Sequence, residues 1–381
     1  MSTRIILVRH AEAEGNLYRR IHGWTDGDIT EMGREQVKAL EARFALRHID
    51  AVYSSDMKRT MATAEALYVP RKLPLQLRRD LREVNMGLWE DKCWGWVANF
   101  DEKQYQALNR NPRAWTVPGC EAYDDTLRRM RGALLDIARQ HPDKTVAVVS
   151  HGSAIRILLG DLLGYCPEEL HHVLYCDNTA IAELTAEGET LKLHYYNDNS
   201  HLHSGISAFH RDTWWKNADG KDGRDLYFLP MELESPQGGM TYLRRYREAW
   251  IASHGSDLGF SAIYLDRAKL RAREEPGSVL EVYSEGEACG MLELALEQGS
   301  GAGFGHIALL HLEEEYRGRG LAVQLLGQAI SVYRSMGRKA LRLRVSEHNE
   351  AALRFYRRWG FTVADTEEDL LGSTYLMTRA L

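Results

Sequence analysis

Long apolar runs are missing from this 381-residue sequence; the longest are strand-sized, short of the roughly 20 residues that a membrane-spanning helix needs. A signal-peptide core is missing too, because Met1-Ser-Thr-Arg-Ile-Ile-Leu-Val-Arg-His10 offers a few apolar residues and then two basic ones, against an apolar stretch of about 7–15 residues. A cytoplasmic location is therefore expected. Cysteine is scarce and unpatterned: Cys93, Cys120, Cys166, Cys176 and Cys289 are odd in number and lack C-x-x-C spacing, which excludes a disulfide framework and a zinc knuckle. Buried, reduced thiols are expected instead. Positive charge is not in excess either. A net charge of −6 argues against a general nucleic-acid binder, which needs a basic face, so any phosphate recognition must be local. No carboxylate cluster suits Mg²⁺, and no metal is expected. Internal repeats and low-complexity segments are absent as well.

What is present is an average globular composition, 44% hydrophobic and 27% charged, in a chain too long for one core, since single cores stop growing near about 250–300 residues. Two domains are expected. The first half alternates β-branched runs with amphipathic stretches: Ile5–Val8 then Arg34–Leu46, Ala51–Tyr53 then Met57–Leu67, and Val146–Val149 then Ala154–Leu163. Such alternation predicts βαβ units and a mostly parallel sheet covered by helices, closed by the runs Thr179–Leu184 and Leu191–Tyr196. Residues 204–225 are polar and aperiodic apart from Trp214-Trp215, and are expected to form an ordered linker. The expected division is a domain over 1–203, the linker, and a domain over 226–381. The last of these begins with Tyr227–Leu233, continues through helical stretches at Thr241–Ser253 and Ser261–Glu274, and then through strands at Val279–Tyr283, Ala288–Leu296 and Gly305–Leu312.

The first strand ends in Val8-Arg9-His10-Ala11-Glu12, which brings an arginine and a histidine to the carboxyl edge of a parallel sheet, where open α/β folds bind ligands. Ser54-Ser55-Asp56-Met57-Lys58-Arg59 stands at a second strand-to-helix junction. Leu81-Arg82-Glu83 precedes Gly87-Leu88-Trp89-Glu90, and Val148-Val149-Ser150-His151-Gly152 ends a third strand. These groups suit phosphoryl transfer, which asks a protein mainly for positioning and charge stabilisation. A neutral imidazole is a competent nucleophile when one nitrogen faces phosphorus and the other donates a hydrogen bond, and His10 is the expected nucleophile. Arg9 and Arg59 offer forked donors to phosphate oxygens, and His151, if protonated beside the phosphate, adds a positive donor.

In order and spacing these four segments resemble the histidine phosphatase superfamily, which includes the cofactor-dependent phosphoglycerate mutases. The resemblance covers residues 1–203 and is supported by Asn16, Gly23, Asp28, Thr30, Gly33, the Thr63-Ala64 pair, Pro118-Gly119 and the closing Asn197 to Leu202. It implies a phosphoglycerate mutase-like three-layer α/β/α fold and a metal-independent phosphatase of the histidine acid type, working on a small phosphomonoester through a phosphohistidine. It also implies that Glu83 protonates the leaving alkoxide, which requires burial or the phosphate dianion to keep a proton on it, and that Asn16 contacts phosphate. Ala11 stands where the family usually has glycine, which should narrow the pocket floor slightly. The segment from Glu83 to His151 is shorter than in the family's mutases, so a phosphatase is favoured and a mutase-like phosphoryl transferase is the alternative. That segment holds Trp89, Trp94, Trp96, Tyr105 and Trp115, which form either an aromatic lid over a flat or sugar substrate or a packed layer with no ligand contact.

The second constellation follows the strand Gly305–Leu312. Glu315-Tyr316-Arg317-Gly318-Arg319-Gly320-Leu321-Ala322 leads into an apolar-periodic helix ending near Gly337. A Gly-rich turn before a helix N-terminus presents backbone N–H groups to a pyrophosphate. Arg317, Gly318, Arg319, Gly320, Leu321 and Ala322 fit the signature of GNAT-type acetyltransferases, and Asn349-Glu-Ala-Ala-Leu-Arg-Phe-Tyr356, after the strand Ala340–Val345, is similar to that family's distal half. The resemblance covers residues 226–381. It implies an α+β fold with a mixed sheet, acetyl-CoA as co-substrate, an amine acceptor, Asn349 as a cofactor contact and Tyr356 as the proton donor to the departing thiolate. Two helical turns separate Asn349 from Tyr356, which predicts one shared face. Candidates for the base are Glu313, Glu314 and His311. The expectation is thus a bifunctional enzyme, with a phosphatase regulated by a non-catalytic acetyl-CoA-binding domain as the other reading. Neither nucleic acid nor membrane is an expected partner, and a homodimer is left open.

Overall fold

The computed structural model describes residues 2–211, 223–298, 302–369 and 372–381, and the chain divides into two compact units, Met1–Asp222 and Gly223–Leu381. In the first, β1 (Ser2–Arg9), β2 (Ala51–Ser54), β3 (Leu75–Leu77), β4 (Thr145–Ser150), β5 (Ile181–Glu187) and β6 (Thr190–Asp198) form one sheet in the order β3-β2-β4-β1-β5-β6. The first four run parallel, and β5 and β6 extend the β1 edge antiparallel. Side chains alternate across the sheet. Ile5, Leu7, Val146 and Val148 face one buried layer while Ile6, Val8, Ala147 and Val149 face the other, the pattern of strands covered on both sides.

Among the described residues eight α-helices accompany this sheet: α1 (Glu14–Leu17), α2 (Glu31–Phe44), α3 (Lys58–Tyr68), α4 (Trp94–Phe100), α5 (Glu102–Arg110), α6 (Tyr123–Gln140), α7 (Gly152–Leu162) and α8 (Ala208–Arg211). Residues of α2 and α3 join one core, and residues of α4 to α7 the other. α2 starts where Thr30 Oγ1 accepts the Gly33 N–H at 3.0 Å, a side-chain N-cap that satisfies an otherwise orphaned donor. Residues just past 203, expected in the linker, are tied to this unit: Gln36 donates to the Ile206 carbonyl, and Ser207 Oγ donates to Asp177. The remainder of the expected linker, including Trp214 and Trp215, falls mostly in 212–222, outside the described residues.

The second unit is a mixed sheet of β7 (Leu226–Pro230), β8 (Val279–Ser284), β9 (Glu287–Ala295), β10 (Phe304–Leu312), β11 (Ala340–Ser346), β12 (Thr362–Asp369) and β13 (Gly372–Ala380), in the order β12-β13-β11-β10-β9-β8-β7. Its helices are α9 (Pro236–His254), α10 (Ile263–Glu274), α11 (Ala322–Ser335) and α12 (Glu350–Arg358). Among the described residues, β10 and β11 are the only parallel pair of this sheet. They pair from Phe304 to Ile307 against Ala340 to Leu343, and β10 shifts register against β9 between Ile307 and Leu309. Beyond that point the two strands part. No helix among the described residues is long and apolar enough to cross a membrane. All five cysteines are free, but the expectation of burial holds only for Cys93, Cys176 and Cys289, since Cys120 is half-buried and Cys166 exposed.

Candidate functional site

β1 and β4 lie parallel with Arg9 opposite Ser150, so His10 and His151 emerge one residue later on the same edge, with ring centroids 5.3 Å apart and planes inclined at 60°. β2 pairs with β4 on its other side and delivers Ser55 and, in the first turn of α3, Arg59. His10 Nδ1 lies 2.7 Å from the Ala11 carbonyl. A carbonyl only accepts, so in the neutral ring Nδ1 carries the proton and Nε2 keeps its lone pair. Arg59, 1% exposed, donates through Nε to His151 Nδ1 at 3.2 Å and through its terminal nitrogens to the carbonyls of Thr25, His22 and Gly23. His151 Nδ1 is therefore an acceptor, and its Nε2–H donates to Ser55 Oγ at 2.9 Å. His151 is neutral in this arrangement. Burial foremost, then the Arg59 guanidinium, holds both imidazoles well below their usual pKa, and Arg9 adds to the effect at His10.

Arg9 gives one terminal N–H to the Cys176 carbonyl, and its Nε is buried without a hydrogen-bond partner. Such a donor asks for an acceptor. Glu83 is buried with both oxygens engaged: Oε1 accepts the Val84 and Ala154 N–H groups at 2.9 and 2.8 Å, and Oε2 accepts that of Ser153 at 3.0 Å. It thereby satisfies the first turn of α7, whose N-cap is His151. Asn16 lies in α1 just beyond the tip of β1, its Oδ1 accepting the Ala13 N–H at 3.1 Å. The Ala11 methyl is wholly buried, and Ala11 N–H donates to Thr63 Oγ1 at 2.8 Å.

Several residues that hold this geometry carry no role in the sequence reading. Arg129 on α6 is clamped by Glu121 and donates to the carbonyls of Asp80, Arg82 and Glu83, which fixes the segment bearing the acid. Glu90 accepts from the backbone of Trp24, Thr25 and Met86, and so holds the loop whose carbonyls receive Arg59. Asn178 Nδ2 donates to the His10 carbonyl at 3.0 Å. His22, whose Nδ1 is buried without a partner, is a third imidazole in this neighbourhood and contributes to lowering the His10 pKa. The tryptophans do not form a lid. Trp89 and Trp115 are buried with rings 5.8 Å apart, Trp89 Nε1 donates to Asp101, and Trp94 and Trp96 pack on the same core.

In the second unit Gly318 and Gly320 have φ of 74° and 77°, left-handed values that favour glycine, and a Cβ at either would meet nothing within 4 Å. The loop is open and runs directly into α11, with Leu321 buried at its N-cap and Ala322 its first residue. Arg317 Nε donates to the Leu312 carbonyl at 2.7 Å, and the Arg319 guanidinium lies over Tyr316. Open N–H groups at a helix start fit a pyrophosphate. Asn349 is not on the α12 face that carries Tyr356. It is the N-cap, Oδ1 accepting the Ala352 N–H at 3.1 Å and Nδ2 donating to Ser253 Oγ at 3.3 Å. Tyr356 is buried within α12, and burial pushes its phenol well above the ordinary value.

Among the expected bases, Glu313 is taken by Arg244 and Arg245, whose hydrogen bonds hold it down to about 2. Glu314 is exposed. His311 is buried, its pKa lowered to about 4, with Nε2 3.5 Å from Glu248. Glu248, His311 and Glu313 lie close enough to share an ion, but the two guanidinium groups on Glu313 already supply its positive charge. Near the parting of β10 and β11 a cleft of about 500 Å³ is lined by Tyr246, Trp250, Tyr264, Glu293 and His306 among others.

The family model of the histidine phosphatase superfamily (branch 1) matches residues 5–199, and that of the acetyltransferase (GNAT) family matches residues 241–361. The chain is 31% identical over 161 residues to "Phosphoserine phosphatase 1" of Hydrogenobacter thermophilus, which covers 42% of this chain and 76% of that protein. It is 32% identical over 161 residues to "Probable phosphoglycerate mutase GpmB" of Photorhabdus laumondii, covering 42% of this chain and 75% of that protein. Among solved structures it is similar to Bacillus stearothermophilus YhfR, with a TM-score of 0.50 at 28% identity, over 52% of this chain and 98% of that one.

Proposed function

The chain belongs to the histidine phosphatase superfamily, and on that premise we propose that its first unit hydrolyses phosphomonoesters through a phosphohistidine on His10. The observation that carries the reading is the Nδ1 bond to the Ala11 carbonyl, which leaves Nε2 as the lone-pair nitrogen among Arg9, Arg59 and His151. In the first step Nε2 bonds to phosphorus, the ester P–O bond breaks, and the leaving oxygen takes a proton from Glu83. In the second, water bonds to phosphorus, the P–N bond breaks, and Glu83 takes the proton of the water. The guanidinium groups neutralise the equatorial oxygens throughout, His151 joins them on taking up a proton beside the phosphate dianion, and Asn16 is a further contact.

No step requires a metal, so EDTA should leave activity intact; inhibition reversed by a divalent ion would overturn that part. The test of the whole is phosphate release from a phosphomonoester panel, phosphoserine included, with wild type and His10→Ala. Activity surviving in the variant sinks the reading. A mutase shares the first step and differs in the acceptor, so label passing from a phosphoglycerate to a second phosphoglycerate rather than to water would favour it.

A GNAT acetyltransferase domain occupies residues 241–361, and for this unit we propose acetyl transfer from acetyl-CoA to an amine. Arg317 to Ala322 receive the pyrophosphate, and Asn349 is a further contact to the cofactor. The amine nitrogen bonds to the thioester carbonyl carbon, the C–S bond breaks, the sulfur leaves with the electron pair and is protonated by Tyr356, and the nitrogen loses one proton. The support is the open left-handed loop ahead of α11.

A further inference from the structure

The cleft beside β10 and β11 has a one-sided charge. Its volume of about 500 Å³ is that of a small-molecule site, and Arg267, Arg271 and Arg344 line it against a single carboxylate, Glu293. Arg344 is paired with Glu367 and Arg271 with both Glu293 and Glu297, whereas Arg267 has no carboxylate partner among the described residues. Arg271 Nε is buried 3.5 Å from Glu297 Oε1 and makes no hydrogen bond. His306, 7% exposed, also lines the cleft, and its ring makes no hydrogen bond among the described residues. Burial, then Arg344 and Arg271, lowers its pKa to about 4, so at neutral pH it presents a lone pair. Glu293, 3% exposed, accepts the Tyr242 hydroxyl at 2.9 Å.

The aromatic walls do not make a cation cage. Tyr246 stacks on Tyr264 at 4.6 Å and Trp250 on His254 at 4.2 Å, so these rings turn faces to one another that a cation would need. An acceptor bearing only an ammonium would meet the Arg267 guanidinium, which no carboxylate among the described residues pairs. An acceptor bearing an acidic group as well would find two guanidinium donors, and the same positive field would favour the neutral, attacking form of its amine.

We propose that this cleft takes a small amine that also carries an acidic group, carboxylate or phosphate, with the acid on Arg267 and Arg271 and the amine N–H donating to His306. The inference rests on the acetyl transfer proposed above.

The test pairs protein amino acids with their decarboxylated amines, and phosphoethanolamine with ethanolamine, in a CoA-release assay on the full chain, beside calorimetric binding of acetyl-CoA. The acid-bearing member of at least one pair should be favoured about tenfold or more in kcat/KM, and which pair responds distinguishes carboxylate from phosphate. Arg267→Ala should raise KM for that acceptor about tenfold, with kcat and acetyl-CoA affinity within about twofold of wild type. Acetyl-CoA binding with a preference for acid-free amines, with no discrimination, or with no acceptor used in either series overturns this inference alone. Absence of acetyl-CoA binding overturns the transferase reading and this inference with it.

Discussion

Replacing Glu83 by glutamine separates proton donation from every other contribution of the site. The carboxylate accepts three backbone N–H groups, from Val84, Ser153 and Ala154. An amide of the same shape can accept with its oxygen but must turn an NH₂ toward at least one of these donors. One hydrogen bond is thereby lost and a donor left unsatisfied, a destabilisation of about 1–3 kcal/mol that should appear in urea unfolding. The chemical effect depends on the leaving group. An alkyl alkoxide needs its proton in the transition state, so phosphorylation of His10 by a phosphorylated alcohol should slow by about 10²–10⁴-fold. A nitrophenolate leaves without help, and its burst should slow by less than about tenfold. Stopped-flow measurement of the nitrophenol burst, with quench-flow for the alkyl ester, reads both. An equal loss for the two esters would refute the acid role and make Glu83 a residue that only holds the start of α7.

Acid should loosen the second unit. His306 and His311 have pKa values of about 4 when folded against 6.5 when free, so the unfolded chain binds more protons and stability falls as pH drops from 6.5 toward 4, by up to roughly 3 kcal/mol for each histidine. Urea midpoints that stay flat from pH 7.5 to 4.5 would contradict this. The lowered values of His10 and His151 predict the same sign for the first unit. Gly320→Ala forces a methyl-bearing residue into a left-handed conformation at about 1–2 kcal/mol, and acetyl-CoA affinity measured by calorimetry should weaken by about tenfold; unchanged affinity would remove the loop from the site. Tyr356→Phe should lower acetyl-transfer turnover by about tenfold or more and leave acetyl-CoA binding within about twofold. Equal turnover would favour the binding-only, regulatory reading.

The rim of the first unit is legible because each chemical residue ends a β-branched run: His10 after Ile5–Val8, Arg59 after Ala51–Tyr53, His151 after Val146–Val149. A parallel sheet then brings those ends together without further instruction. Arg129, Asn178 and Glu90 are not legible, because they act on backbone carbonyls and N–H groups distant in sequence, and no local pattern marks a side chain that binds a main chain elsewhere. The tryptophans are ambiguous for a related reason, since burial decides their role and burial is tertiary. Glu293 did leave a signal: it interrupts the apolar strand Met291-Leu-Glu-Leu-Ala-Leu296, where a carboxylate must be paired or titrated. Glu313, by contrast, reads as a base until the fold sets Arg244 and Arg245 of α9 upon it.

The covalent intermediate is the point on which the first unit's chemistry turns. Brief reaction with a ³²P-labelled phosphomonoester, stopped in alkali to preserve a P–N bond, should leave label on wild-type protein at His10, located by mass spectrometry, and none on His10→Ala. Label on another residue, or hydrolysis at the wild-type rate with no labelled protein in a single turnover, would contradict the account.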